Sequence, residues 1–411
     1  MKKLIVVGAG LSGLAAAVAA AKNGAEVAVY EAAGHAGGRC RSYYDATLDA
    51  VIDNGNHLVL SGNPAVQSFL ATIGAGNVLA GPNTAEFSFV DLVSGERWTI
   101  HPDNGPLPLW IFDAARRVPG TTALDYAKFG ALLAAGPGAT VADWVSCSGP
   151  LWEKMMRPVL LAVLNTDPAE GSAKLTAAVL KETLAKGGRA YRPRIAHPNL
   201  GLAFIEPALR FLTANRALVH FGQRLRRIVF DGNRVLALEF PESIVPVDED
   251  TKVVLAVPPW VAEGLVPELT VPNEFRAIVN AHFKAVAPAG TPKMLGVIGG
   301  TAEWIFTFAD RVSVTVSAAE KLVDRDREEL ACTLWGDVAK ALNLPPILPV
   351  WQVVKEKRAT FAATPQQDAL RPKARTAWRN LVLAGDWTQT GLPATIEGAL
   401  RSGFKAAALS G

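Results

Sequence analysis

The opening of this chain constrains its fold more than any other stretch. The run Leu4-Ile5-Val6-Val7 leads into Gly8-Ala9-Gly10-Leu11-Ser12-Gly13. An Ala-rich segment then runs from Leu14 to Lys22, and a second β-branched run, Glu26 to Tyr30, ends at Glu31. Strand, Gly-x-Gly-x-x-Gly turn, helix, strand and terminal acid in this order predict a dinucleotide-binding βαβ unit. Gly8 permits the tight turn, Gly10 lets the backbone approach a pyrophosphate, and Gly13 lets helix and strand pack closely. The helix start, with Ala9, Leu11 and Ser12 around it, offers unpaired N–H groups and a positive dipole end to phosphate. Glu31 is placed to accept hydrogen bonds from a ribose diol.

The 411 residues suffice for a large core and predict two intertwined domains. Hydrophobic residues make up 50% and charged residues 19%, with a net charge of +3. That balance is too mild for a nucleic-acid partner, and no basic run interleaves with aromatics, so none is expected. Cys40, Cys147 and Cys332 are widely spaced and form no C-x-x-C. Neither a disulfide framework nor structural zinc is expected, and a reducing, cytoplasmic setting fits. The first strand starts too near residue 1 for a secretory signal to precede it. No apolar run approaches the roughly 18 residues that cross a bilayer, so any membrane contact is expected to be peripheral.

Further along, Ala65 to Ile73 reads as a helix, and Glu86 to Ile100 as a hairpin around Ser94-Gly95. The stretch from Pro106 to about Leu184 reads as helical and apolar with Pro and Gly breaks, including helices at Ala127–Ala135 and Leu151–Leu164. Helix Ala203–Leu212 precedes a strand at Ala217–Phe221, then a hairpin follows, Leu225–Phe230 and Val235–Phe240, joined by Asp231-Gly232-Asn233. Lys252–Val257 reads as a buried strand, Asn280–Val316 as strand-rich, and Asp324–Leu342 as an amphipathic helix. Leu381–Asp386 is a strand closing on Gly-Asp, and a helix follows at about Pro393–Leu409. Nucleotide-type segments thus stand at the beginning, middle and end of the chain. The expected fold is α/β: a glutathione-reductase-type, Rossmann-like nucleotide domain (1–85, 200–265 and 375–411) with an inserted mixed α+β substrate domain (86–199 and 266–374).

Three separated motifs carry a resemblance. They are Glu31 with Gly37-Gly38-Arg39, the segment Ile52-Asp53-Asn54-Gly55-Asn56-His57, and Ala384-Gly385-Asp386-Trp387-Thr388 with Leu392 to Gly403. Together they are similar to the flavin amine oxidase and carotenoid desaturase superfamily. Gly38 to Ser42, Ile52 to Gly62, Asn165-Thr166 and Pro198 to Glu206 resemble its squalene-associated desaturase group, which serves bacterial hopanoid synthesis. The resemblance implies FAD as cofactor. It implies that Gly8, Gly10 and Gly13 hold the diphosphate and Glu31 the adenosine ribose. Arg39 would neutralise phosphate charge, the Leu225 backbone would meet the adenine, and Gly385-Asp386 would contact the diphosphate and ribitol. Gly55, Asn56 and His57 would lie along the isoalloxazine. The last helix would aim its start, Ala394, Thr395 and Ile396, at the flavin's pyrimidine edge, whose negative charge on reduction a helix dipole stabilises. Capping of that helix by Thr395 is the plain alternative.

The implied reaction is reduction of hydroxysqualene, a hydrophobic triterpenoid alcohol, to squalene. It needs a proton or hydrogen-bond donor for the leaving oxygen and a dry cavity for the allylic cation. His57 is the catalytic candidate, with Asn165, Tyr191 and water as others. Gly136-Pro137-Gly138 reads as a loop and offers no second nucleotide site, so an external flavin reductant is expected. The apolar insert around Trp110, with Arg116 and Arg117, is the expected point of peripheral contact with the inner face of a bacterial membrane. Other readings are a carotenoid-type desaturase, an amine oxidase, or a flavin-free prenyl-lipid escort.

Overall fold

The computed structural model describes residues 2–411. Its nucleotide-type segments converge on one five-stranded sheet in which all paired neighbours are parallel. Lys3–Val7 lies at the centre. Glu26–Tyr30 and then Leu218–His220 extend it on one side, and Thr251–Leu255 and then Leu381–Leu383 on the other. Leu4, Ile5, Val6 and Val7 are all buried, as expected of a parallel strand covered on both faces. The opening helix, Leu11–Lys22, lies against the closing helix, Ile396–Ser410. Gly403 makes that approach feasible, because a Cβ there would stand 2.2 Å from the Ser12 carbonyl oxygen.

A second, seven-stranded sheet draws on two other parts of the chain. Its order is Trp351–Phe361, Phe275–Phe283, Val312–Val316, Trp304–Thr307, Met294–Ile298, Phe87–Asp91 and Arg97–Ile100. All neighbours are antiparallel except Met294–Ile298 with Phe87–Asp91. One face carries Val279, Ala281, Phe283, Val312, Val314, Val316, Ile305, Leu295 and Val297, packed against Leu330, Leu334, Trp335 and Val338 of helix Arg327–Leu342. That helix starts where Asp326 accepts hydrogen bonds from the Glu328 and Glu329 amides, three residues inside the expected Asp324 start.

The other face is divided. Register places Asn280 opposite Thr315 and His282 opposite Ser313, and then Thr315 opposite Trp304 and Ser313 opposite Phe306. Directly opposed residues share a face, so hydroxyl, amide and imidazole groups occupy one half and aromatic rings the next. Phe89, beside Gly296, stacks on Trp98 at 5.5 Å and continues the aromatic half.

Four sequence expectations need amendment, and one strand is added. Leu151–Leu164 is a π-helical turn, Trp152–Met156, followed by α-helix Arg157–Leu164, and Ala203–Leu212 lies in a π turn, Gly201–Ile205, followed by Glu206–Ala214. Both α segments have proline second, Pro158 and Pro207, which cannot donate to the carbonyl four residues back, so the preceding turn widens. Ala127–Ala135 is split between α-helix Ala123–Phe129 and 3₁₀ turn Gly130–Ala134. From 101 to 122 the insert is loop and turn with one short 3₁₀ element, Leu109–Phe112. The strand Trp351–Phe361 went unrecognised in the sequence because Lys355-Glu356-Lys357-Arg358 interrupts its apolar pattern. An edge strand tolerates such charges.

Candidate active site

The glycine turn is tightly packed at two of its three glycines. Gly8 has φ of +104°, and a Cβ on it would lie 2.4 Å from the Ala256 carbonyl oxygen. A Cβ on Gly13 would lie 1.9 Å from the Gly8 carbonyl oxygen. Gly10 differs: nothing lies within 4 Å of where its Cβ would be. The space beside Gly10, at the start of helix Leu11–Lys22, is open.

Glu31 is oriented by two backbone donors, the Ala9 amide at 2.7 Å and the Ala33 amide at 2.8 Å. The Gln223 amide donates to the Glu31 carbonyl at 2.8 Å, which brings the Leu225 segment to the same end of the sheet. The Gly37 amide donates to the Ala9 carbonyl at 2.8 Å, and Gly38 packs over Gly10. Arg39 reaches across to both carboxylate oxygens of Asp386, each at 2.8 Å. Motifs from the two ends of the sequence therefore meet as an ion pair in which one guanidinium nitrogen, Nη2, spans both carboxylate oxygens. Sequence reading had given these two residues separate tasks; the structure joins them.

The Gly385–Thr390 loop has an anchor that no motif advertised. Arg371 has a fully buried side chain and donates to the carbonyls of Asp386 and Thr388, to the Thr390 hydroxyl and to Asp368. The Gly385 amide donates to Ser402 Oγ at 2.9 Å. Thr395 accepts from the Gly398 amide at 3.1 Å, so it caps the closing helix, with Ala394 before it and Ile396 buried as the first helical residue. Glu397, also unrecognised, accepts from the Ala65 and Val66 amides at the start of helix Pro64–Thr72.

The segment after strand Ala50–Asp53 crosses the polar half of the seven-stranded sheet. A Cβ on Gly55 would stand 2.9 Å from Asn280 Nδ2. Asn56 Nδ2 donates to Thr315 Oγ1 at 3.1 Å, and Thr315 donates to Asn280 Oδ1 at 2.8 Å. The side-chain oxygens of Asn54 and Asn56 are buried with no partner, as is Nε2 of His282, whose Nδ1 meets Ser313 Oγ at 2.8 Å. A small cavity is lined by Asp53, Asn56 and His57 and by the apolar Ile195, Leu200, Phe306 and Phe308.

Burial, aided by Arg39, pushes His57 down to about 4, with Cys40 Sγ 3.9 Å from Nε2. At neutral pH it is an uncharged imidazole that donates one hydrogen bond, and it is not a reserve of imidazolium protons. Asn165 is committed elsewhere: its amide donates to Thr360 Oγ1 at 3.0 Å and its oxygen accepts from the Ala318 amide at 2.7 Å. Burial pushes the Tyr191 phenol upward, and its ring stacks on Phe87.

The insert around Trp110 also differs from expectation. Trp110 is buried and meets Tyr126 edge-on at 5.2 Å. Arg116 is tied to Asp103 and the His101 carbonyl, and Arg117 to the Ile111 carbonyl. The exposed apolar groups are instead Leu107, Leu109, Phe112 and Leu124. Residues alternate in this way because a 3₁₀ turn eclipses positions three apart, so Leu109 and Phe112 share the outward side. Among the described residues no helix is long and apolar enough to cross a membrane.

Residues 11–409 match the family described as flavin containing amine oxidoreductase. The chain is 53% identical to a hydroxysqualene dehydroxylase from Rhodopseudomonas palustris, an alignment spanning 99% of this chain and 98% of that protein. It is 49% identical to a hydroxysqualene dehydroxylase from Zymomonas mobilis, over 98% of each chain. Among solved structures, an oxidoreductase from Methanosarcina mazei superposes with a TM-score of 0.74 at 16% identity, covering 98% of this chain and 99% of the other. Cyclohexylamine oxidase from Brevibacterium oxydans gives 0.71 at 17% identity, covering 100% and 98%. At such identities the structural likeness speaks to the fold alone.

Proposed function

The chain belongs to the flavin containing amine oxidoreductases and is an FAD-dependent oxidoreductase, and we propose that its reaction is the reduction of hydroxysqualene to squalene. The observation that carries this reading is near-full-length likeness, at about half identity, to proteins named for that activity.

The residues present fit FAD. The open space over Gly10, the free amides of the first helical turn and the oriented Glu31 suit a diphosphate and its ribose. Arg39 and Asp386 stand where the glycine turn and the closing motif meet, and Gly37, Gly38 and Leu225 line the same end. Gly55, Asn56 and His57, with the capped helix behind Ala394, Thr395 and Ile396, are assigned to the flavin ring. Reduced flavin supplies the hydride, in the balance R–OH + FADH₂ → R–H + H₂O + FAD. The segments 86–199 and 266–374 are assigned to the substrate. Their aromatic and aliphatic side chains supply a dry surface for a hydrocarbon, and burying about ten CH₂ groups at ~0.8 kcal/mol each suffices for roughly micromolar binding before ordering costs. A dry site also keeps water away from an allylic cation. His57 serves as a neutral hydrogen-bond donor beside the reaction. FAD is re-reduced by an external reductant.

The substrate is insoluble, and we assign Leu107, Leu109, Phe112 and Leu124 to peripheral membrane contact. Replacing Leu109 and Phe112 together by Ser should abolish co-sedimentation with anionic vesicles, while Trp110→Ala should act only through stability. Unchanged sedimentation of the double variant would refute the assignment.

The reaction is tested by anaerobic mixing of dithionite-reduced protein with hydroxysqualene. Flavin reoxidation with stoichiometric squalene is expected. Reoxidation by an amine or a carotenoid precursor, and not by hydroxysqualene, would replace this reading with a sibling activity.

A further inference from the structure

We propose that Asn56, backed by Thr315 and Asn280, is the receiving site for the single hydroxyl group of the substrate alcohol. The inference rests on the reading above that the substrate is such an alcohol, and it goes further by naming what distinguishes alcohol from hydrocarbon.

Three observations converge on Asn56. Its amide nitrogen is the start of a directed chain: Asn56 Nδ2 donates to Thr315, Thr315 to Asn280 Oδ1 at 2.8 Å, and Asn280 Nδ2 to the Asn54 carbonyl at 3.4 Å. This chain fixes which way the Asn56 amide points. The Asn56 oxygen then ends buried, with no donor. A buried acceptor without a donor is costly, and it is matched by a ligand that brings an O–H.

The second observation is the cavity itself. Asn56 lines it together with Asp53 and His57, and the rest of its wall is apolar, with Phe306 and Phe308 prominent. Asp53 Oδ1 is occupied by the Ser42 hydroxyl at 2.5 Å and the Leu200 amide at 3.0 Å. Asp53 Oδ2 takes neither of these bonds, and among the cavity's side chains Asn56 Oδ1 is the buried acceptor left without a donor.

The third observation is the division of the sheet face. Thr315 pairs with Trp304 and Ser313 with Phe306, so the polar half passes directly into the aromatic half. A long hydrocarbon with one hydroxyl matches that boundary, with oxygen on the amide side and carbon along the rings. As the C–O bond breaks, the oxygen departs with its electron pair and takes up the proton that the FADH₂ couple gives up alongside its hydride, leaving as water. Asn56 accepts from the bound hydroxyl and holds the oxygen in place. Thr315 and Asn280 are positioning residues, since they act through Asn56.

The test compares binding of hydroxysqualene and of squalene, which lacks only the hydroxyl, to oxidised FAD-loaded protein by flavin difference spectra. Wild type should prefer the alcohol. Thr315→Val keeps the volume and removes the hydroxyl. It should retain FAD and squalene binding and lose about tenfold in hydroxysqualene affinity, with Thr315→Ser recovering the preference. Asn56→Ala, on the loop rather than in the sheet, gives a second measure and should show the same selective loss. An alcohol-to-hydrocarbon ratio equal to wild type in both Thr315→Val and Asn56→Ala overturns the proposal. So does loss of bound FAD in Thr315→Val, because the cluster would then serve the cofactor. If wild-type protein neither prefers nor reduces hydroxysqualene, the parent reading fails, and that outcome is distinct from failure of the variants alone.

Discussion

The two large sheets hold their chemistry in opposite ways. At the parallel sheet the proposed site is made of backbone, and side chains are largely kept out of the way: Gly13 and Gly403 have no room for a methyl group, and Gly10 has open space beside it. In the seven-stranded sheet the backbone is ordinary and the chemistry sits on alternate side chains of neighbouring strands. A site made of amides leaves a spaced glycine pattern in a sequence. A site made of register leaves scattered Asn, Thr and Ser, which look like any others.

The contrast can be broken most forcefully at Arg371, where a side chain supports the backbone site. Arg371→Leu leaves Asp368 with Lys174 as its remaining cationic partner and removes the donors to the Asp386 and Thr388 carbonyls and the Thr390 hydroxyl. A stability loss of about 3 kcal/mol is expected by urea denaturation, with loss of yellow colour. Next comes Gly403→Leu, which forces the two helices apart and should cost about 3 kcal/mol.

A third measurement probes the polar half of the antiparallel sheet by pH. Burial holds His57 at about 4 and His282 at about 3 in the folded chain, below the 6.5 of a free imidazole. The unfolded chain then binds more protons between those values, so stability is complete above about pH 6.5 and falls as pH drops toward 4 and 3. Glu303, raised by burial to about 7 from 4.5, has the opposite slope between those two values. Two imidazoles outweigh one carboxyl, so net loss on the acid side is expected. His282→Gln should make that acid limb shallower in urea midpoints taken from pH 4.5 to 8. An unchanged limb would mean that the buried imidazole is not the cause.

The smallest expected effect on stability is the sharpest test of the contrast. Gly10→Ala meets nothing and sits in ordinary extended backbone (φ −71°, ψ 175°), so the fold should change by less than about 0.5 kcal/mol. FAD content should nonetheless fall. If Gly10→Ala keeps its flavin, the openness above Gly10 has no ligand purpose.

These differences explain what could be read from the chain. The strand–turn–helix at Gly8 to Gly13 was legible because a tight turn and close helix–strand packing admit few residue types. The meeting of Arg39 with Asp386 was not, since ion pairs between distant segments have no local trace. Arg371 and Glu397 are ordinary charged residues in the sequence, and only burial reveals them as anchors. Trp110 was misplaced for a related reason: a short 3₁₀ turn decides which of Leu109, Trp110, Ile111 and Phe112 faces inward, and four consecutive apolar residues carry no period.

The central strand Lys3–Val7 is flanked by Thr251–Leu255, and the helix beside it waits for Gly403. On the ribosome the opening βαβ unit therefore emerges long before Thr251–Leu255 exists, and Lys3–Val7, paired with Glu26–Tyr30 on one side, keeps its other edge open through much of synthesis. A premature stop near residue 380 would leave the sheet without its last strand and its covering helix.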